Sequence, residues 1–202
     1  MTDTLEALLQ DAAVAHGHLC AGQVLGVRMA MYACALLDIE EPRGKDRKRL
    51  VTFVEIDRCA TDAIGVVTGC RLGKRALKFV DFGKMAATFV DLQQAKGSDV
   101  YGGIRIAALE TSRDLAKQRY PEMPDKNQQQ MRAYRELEDH ELFAVQTVEV
   151  TLPPNEFPGF KGTRVACEAC GEGINYKREV TREGRTLCKA CADLDNRYYR
   201  TV

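Results

Sequence analysis

No apolar run in the 202-residue chain approaches the roughly 18 residues that a bilayer-crossing helix needs, so the sequence offers no helical membrane span. Residues 1–15 have no basic n-region and no small-residue cleavage site, which argues against a secretory leader and for a cytoplasmic protein. Neither sign of charge is in excess, with 29 Lys and Arg against 29 Asp and Glu. Such a balance gives no reason to expect nucleic acid or an anionic membrane as partner. Tryptophan is absent, and nothing follows from that. Internal repeats and low-complexity tracts are absent too. Histidine is scarce, at three, so two of them falling together is informative.

Cysteine, by contrast, is plentiful at eight. In a cytoplasmic chain these read as reduced thiols and metal ligands, not as a disulfide framework. The length allows one sizeable core with a small appendage. A proline-rich stretch, Pro153-Pro154-Asn155-Glu156-Phe157-Pro158-Gly159, marks the join. The expected organisation is a core over 1–152, a linker over 153–163 and a small module over 164–202.

The module is the plainer of the two. Cys167 and Cys170 are two residues apart, as are Cys188 and Cys191, with seventeen residues between the pairs. That spacing suits a tetrahedral four-thiolate zinc site. A closed shell of four protein ligands predicts a structural zinc. A hairpin turning at Glu183-Gly184 is expected between the pairs, with a helix opening at Cys188. Knuckle, hairpin and helix together resemble a treble-clef finger of the TraR/DksA type. From Lys161 onward nine basic residues face six acidic ones, an excess that a zinc tetrathiolate of charge about −2 nearly erases. The finger is therefore expected to contact protein rather than nucleic acid.

In the core, the periodicity predicts a helix over 3–14, started by Thr2 or Asp3, and a buried helix from Ala21 to Leu37 with Arg28 and Tyr32 as polar exceptions facing an interface or a pocket. Leu50–Ile56 reads as a strand. Ala60, Ala63, Ile64 and Val67 then form one apolar face of a helix that starts at Cys59 and stops at Gly69. Strands are expected over 76–82, 86–91 and 100–107, the first two joined by a hairpin turn at Asp81-Phe82-Gly83-Lys84. Helices over 111–120 and from Pro124 to about His140 precede a half-buried strand, 143–152. The order implies an α+β fold with a mainly antiparallel sheet packed with helices.

Two segments of the core carry candidate chemistry. His16-Gly17-His18-Leu19-Cys20 holds two of the three histidines beside a thiol, as ligands or catalytic groups, or else as a solvated or capping pair. Cys59 opens a helix, where the macrodipole favours a thiolate, with Asp62 one turn on; the alternative is a buried cysteine at a strand–helix junction. Cys70 and Lys74 follow in the turn after that helix. Cys34 reads as a small core hydrophobe.

Glu55-x-x-x-Cys59-x-x-Asp62-Ala63-Ile64, Thr68-Gly69-Cys70-x-x-Gly73-Lys74 and Asp81-Phe82-Gly83-Lys84, taken with the His16–Cys20 segment, resemble the FmdE family. That family is named for the FmdE component of formylmethanofuran dehydrogenase, a molybdenum or tungsten enzyme of methanogens. The likeness spans roughly residues 10–150, and some members carry a C-terminal zinc finger. It implies an α+β core, a homodimer, and a pocket built from the His/Cys segment and the Cys59 helix. Ala21 stands where the family commonly has Pro, and Gly65 where Gln is common. Three readings of the pocket follow. In the first, His16, His18, Cys20 and Cys59 ligate zinc or iron, with Asp62 orienting a ligand or acting as base and Lys74, near Cys70, neutralising an anionic ligand. This would serve one-carbon or Mo/W-cofactor metabolism. In the second, the chain is a non-catalytic adaptor whose finger docks a protein. In the third, Cys59 is a nucleophile and His18 or His16 its base.

Overall fold

The computed structural model describes residues 3–195 and 197–200. The chain divides into two compact units, Met1–Leu152 and Pro153–Val202. Among the described residues no helix is long and apolar enough to cross a membrane.

The larger unit opens with α1, Leu5–His16. Its N-cap is Thr4, whose hydroxyl accepts from the Ala7 N–H; of the two starts expected from the sequence, Asp3 lies one residue ahead of the cap and Thr2 outside the described residues. Gly17, at φ 95°, ends α1 in the left-handed conformation that glycine adopts most readily. Helix α2, Ala21–Leu36, is buried nearly all round, as its continuous apolarity requires. Strand β1, Leu50–Val54, leads to α3, Cys59–Thr68, which ends at Gly69 in the left-handed region. There follow β2 (Leu77–Phe79), β3 (Ala86–Ala95), β4 (Val100–Ala108), α4 (Thr111–Arg119), α5 (Lys126–Glu136), α6 (Asp139–Leu142) and β5 (Phe143–Thr151).

The five strands form one sheet in the order β2-β1-β3-β4-β5. All pairs are antiparallel except β1 with β2. β1, α3 and β2 are thus a crossover unit, the connection that parallel neighbours require. This overturns the hairpin expected at Asp81–Lys84. The segment instead passes over the end of β1, where Phe82 and Lys84 donate their N–H groups to the Glu55 carbonyl. Gly83 does take positive φ, with its N–H on Asp81 Oδ1. Local turn chemistry was right and the strand partner wrong, because a turn does not specify which strand comes next to it. Strand β5 lies at the sheet edge, with Val145, Thr147, Glu149 and Thr151 exposed and Val148 and Val150 partly buried, the alternation expected of a half-buried strand.

The core sits between the helices and one face of the sheet, around Leu8, Leu9, Val24, Met29, Phe89 and Ile106. Arg28 is half-buried against the end of α5. Its guanidinium donates to the carbonyls of Tyr134, Arg135 and Leu137 and pairs with Asp139. It satisfies the C-terminal carbonyls of α5, which have no partner within the helix. Arg28→Ala leaves those acceptors without a donor and should cost about 3 kcal/mol, read as a lower denaturation midpoint for the core. Tyr32 stacks near Phe143, ring centres 6.4 Å apart.

Among its described residues the smaller unit holds a 3-10 turn, Pro154–Glu156, then two short hairpins and a helical turn: β6 (Val165–Ala166) with β7 (Gly173–Ile174), β8 (Val180–Arg182) with β9 (Arg185–Leu187), and α7, Lys189–Ala192. The second hairpin turns where the sequence predicts. Glu183 and Gly184 both have positive φ, as a two-residue type I′ turn demands.

Candidate metal centres

In the finger, the four sulfurs of Cys167, Cys170, Cys188 and Cys191 lie within 4.8 Å of one another. Zinc–sulfur bonds of about 2.3 Å place tetrahedral sulfurs about 3.8 Å apart, so the donor set fits zinc with small adjustment. Gly171 at φ 77° bends the first knuckle, its N–H returning to the Cys167 carbonyl. The Cys188 N–H reaches Cys167 Sγ at 3.2 Å. Backbone N–H groups of Cys188 and Cys170 bring the Cys167 thiol down to about 6, favouring the anion that a metal needs.

In the core unit, a donor atom each from His16, Cys20 and Cys59 lie within 4.8 Å of one another. Three helix ends put them there. His16 is the last residue of α1, Cys20 the N-cap of α2, and Cys59 the first residue of α3. The glycines of α2 allow the approach. A Cβ at Gly26 would stand 2.5 Å from the Ala60 carbonyl oxygen, and one at Gly22 would stand 3.2 Å from Cys59 Cβ. α2 and α3 therefore touch backbone to backbone. Gln23, between those glycines, donates Nε2 to the Cys59 carbonyl at 2.8 Å.

His16 Nδ1 is 2.7 Å from Asp62 Oδ2. A carboxylate on Nδ1–H fixes the tautomer and leaves Nε2 with its lone pair, as in many metal-ligating histidines. His18 is exposed and is not one of the three clustered donors; its ring centre lies 4.9 Å from that of His16. The expected thiolate at Cys59 is not what its surroundings favour. Burial and the adjacent Cys20 thiol push its pKa up, because two neighbouring thiols do not readily both become anions. A cation between them would reverse this preference.

Cys70, expected beside this cluster, lies elsewhere. It is in the core, receiving the Thr52 hydroxyl and facing the Leu50 carbonyl, and burial raises its thiol pKa. It faces inward because the turn after Gly69 folds beneath β1. Lys74 lies exposed in the short 3-10 turn Leu72–Lys74. Cys34 is likewise buried, its thiol pushed up to about 12 by desolvation. Sequence reasoning missed Gln23 and the glycine pair; the spacing Gly22-x-x-x-Gly26 in an otherwise apolar helix was the available signal.

The profile described as "FmdE, Molybdenum formylmethanofuran dehydrogenase operon" matches residues 15–149, and that of the prokaryotic dksA/traR C4-type zinc finger matches 161–197. A probable S-adenosyl-L-methionine-binding protein of Archaeoglobus fulgidus is 34% identical over 214 residues, covering 98% of this chain and 55% of that protein. The chain thus spans about half the length of this curated relative. The crystal structure of an FmdE-like protein from Syntrophus aciditrophicus, related by its description to tungsten formylmethanofuran dehydrogenase, superposes with a TM-score of 0.57 at 16% identity. The match covers 97% of this chain and 96% of that one, and it shows the shared fold. With an α+β core of this topology and a family match over about two thirds of its length, the chain belongs to the FmdE family and ends in a C4-type zinc finger.

Proposed function

We propose that the core unit binds one zinc or iron ion through His16, Cys20 and Cys59, separately from the structural zinc of the finger. The observation that carries this is the convergence of one imidazole and two thiols from three different helix ends. Mixed nitrogen and sulfur donors suit these metals. Three protein ligands leave a fourth position for a substrate atom, the arrangement typical of catalytic rather than structural zinc. The metal, when bound, would supply Lewis acidity at that position. Asp62 holds the His16 ring in place, and exposed His18 stands beside it as a group able to carry a proton. Membership of a family described by the formylmethanofuran dehydrogenase operon supports a place in one-carbon or Mo/W-linked metabolism.

Metal analysis of purified protein tests this. The unaltered chain should carry two metal ions and Cys59→Ser one, that of the finger. One ion per unaltered chain would instead favour an adaptor built on the finger. The raised pKa of Cys59 gives no support to a metal-free nucleophile; such a group would be alkylated rapidly at neutral pH.

A further inference from the structure

Gln23 is fully buried in α2, three residues on from Cys20 and on the same side of the helix. Its Nε2 is committed to the Cys59 carbonyl. Its other polar atom, Oε1, is buried and has no partner among the described residues. Turning the amide over does not relieve this, because a carbonyl accepts only from the NH2 side. A methionine of similar size would fill the space without stranding a polar atom. The oxygen is therefore available to a donor from outside the chain. The amide that carries it is bonded to the backbone carbonyl of one proposed metal ligand, Cys59, and its residue lies one turn along α2 from another, Cys20.

We propose that Gln23 Oε1 accepts a hydrogen bond from the molecule occupying the open fourth position, so that the site prefers a ligand carrying an N–H or O–H hydrogen over one that has none. This rests on the metal reading above. It makes Gln23 a positioning and selectivity residue, not a metal ligand.

The test uses the full chain loaded with cobalt(II), titrated with hydroxylamine, which carries N–H and O–H hydrogens, and with thiocyanate, which carries none. Visible absorption follows binding, and the spectrum of Cys59→Ser subtracts the finger, whose closed four-thiolate shell has no open position. Gln23→Met should weaken hydroxylamine binding about tenfold, the loss of one hydrogen bond, and leave thiocyanate binding unchanged. Gln23→Glu, which keeps an acceptor, should retain hydroxylamine binding. Equal hydroxylamine affinity in Gln23→Met with cobalt in place overturns the proposal and assigns the oxygen to a buried water. Loss of the core cobalt from both Gln23→Met and Gln23→Glu, neither of which keeps the NH2 donor to the Cys59 carbonyl, also overturns it and leaves Gln23 only the task of holding Cys59. If Cys59→Ser removes no cobalt signal, the metal reading itself fails, and the two failures are distinct.

Discussion

Gly26→Ala should empty the proposed core metal site while leaving the finger's zinc in place. The added methyl would meet the Ala60 carbonyl oxygen at 2.5 Å, its Cα at 2.8 Å and the Ala63 methyl at 2.8 Å. Two of those contacts are backbone, which cannot swing aside as a side chain can, so α3 must move off α2. Alanine gains up to about 1 kcal/mol of helix propensity over glycine. Overpacking a tight contact costs about 3 kcal/mol, so the clash wins. The movement separates Cys59, at the start of α3, from Cys20, at the start of α2. One metal ion per chain and a core denaturation midpoint shifted by about 2 kcal/mol are the expected readings. Gly22→Ala is the control, since its methyl has one tight contact, the Cys59 Cβ at 3.2 Å, with the Cys20 sulfur at 3.7 Å and the Ala60 nitrogen at 3.8 Å in ordinary van der Waals contact. A few tenths of an ångström relieve that contact, and helix propensity offsets its cost. Should Gly26→Ala keep two metals and full stability, the close approach of the helices does not set the site.

Removing zinc from the finger should unfold that unit while the core keeps its structure. Among the described residues the finger's fully buried cluster is Cys167, Ile174, Leu187 and Ala192, two of them small and one a ligand, with Val165 and Val180 partly buried against it. So little apolar surface does not offset the entropy of ordering its residues. Structural zinc contributes about 10–16 kcal/mol in modules of this size. That exceeds any other stabilising contribution in the finger. A strong chelator, or Cys188→Ser, should make the finger sensitive to protease and collapse its amide dispersion, with core signals unchanged. A finger that stays protected after the metal is gone would show that its hairpins hold without it. Cys167 is already near the thiolate form through N–H groups of Cys188 and Cys170. Rebinding should accordingly release fewer than four protons near neutral pH.

The two metal sites differ in how far they could be read from the chain. The finger's ligands lie in two pairs within 25 residues, each pair fixed by local geometry, and the Glu183-Gly184 turn has only one comfortable conformation. Local spacing was enough. The core site depends on residues 16, 20 and 59, and on helix ends that meet only when α1, α2 and α3 are packed. Sequence indicated the two segments but gave the wrong membership at its margins. Cys70, adjacent to α3 in the chain, falls in the core, because the turn after Gly69 sends its thiol inward against β1.

The start of α3 at Cys59, its stop at Gly69, the α+β class and the zinc-ligand spacing followed from the sequence, because capping, periodicity and ligand spacing act over a few residues. Tertiary structure decided that β2 pairs in parallel with β1, that β5 is an exposed edge, that Arg28 caps α5, and that His18 stands beside the cluster of three donors and not within it. Each of those depends on which distant backbone comes into reach, and a hydrophobic pattern records that a residue is buried without recording against what.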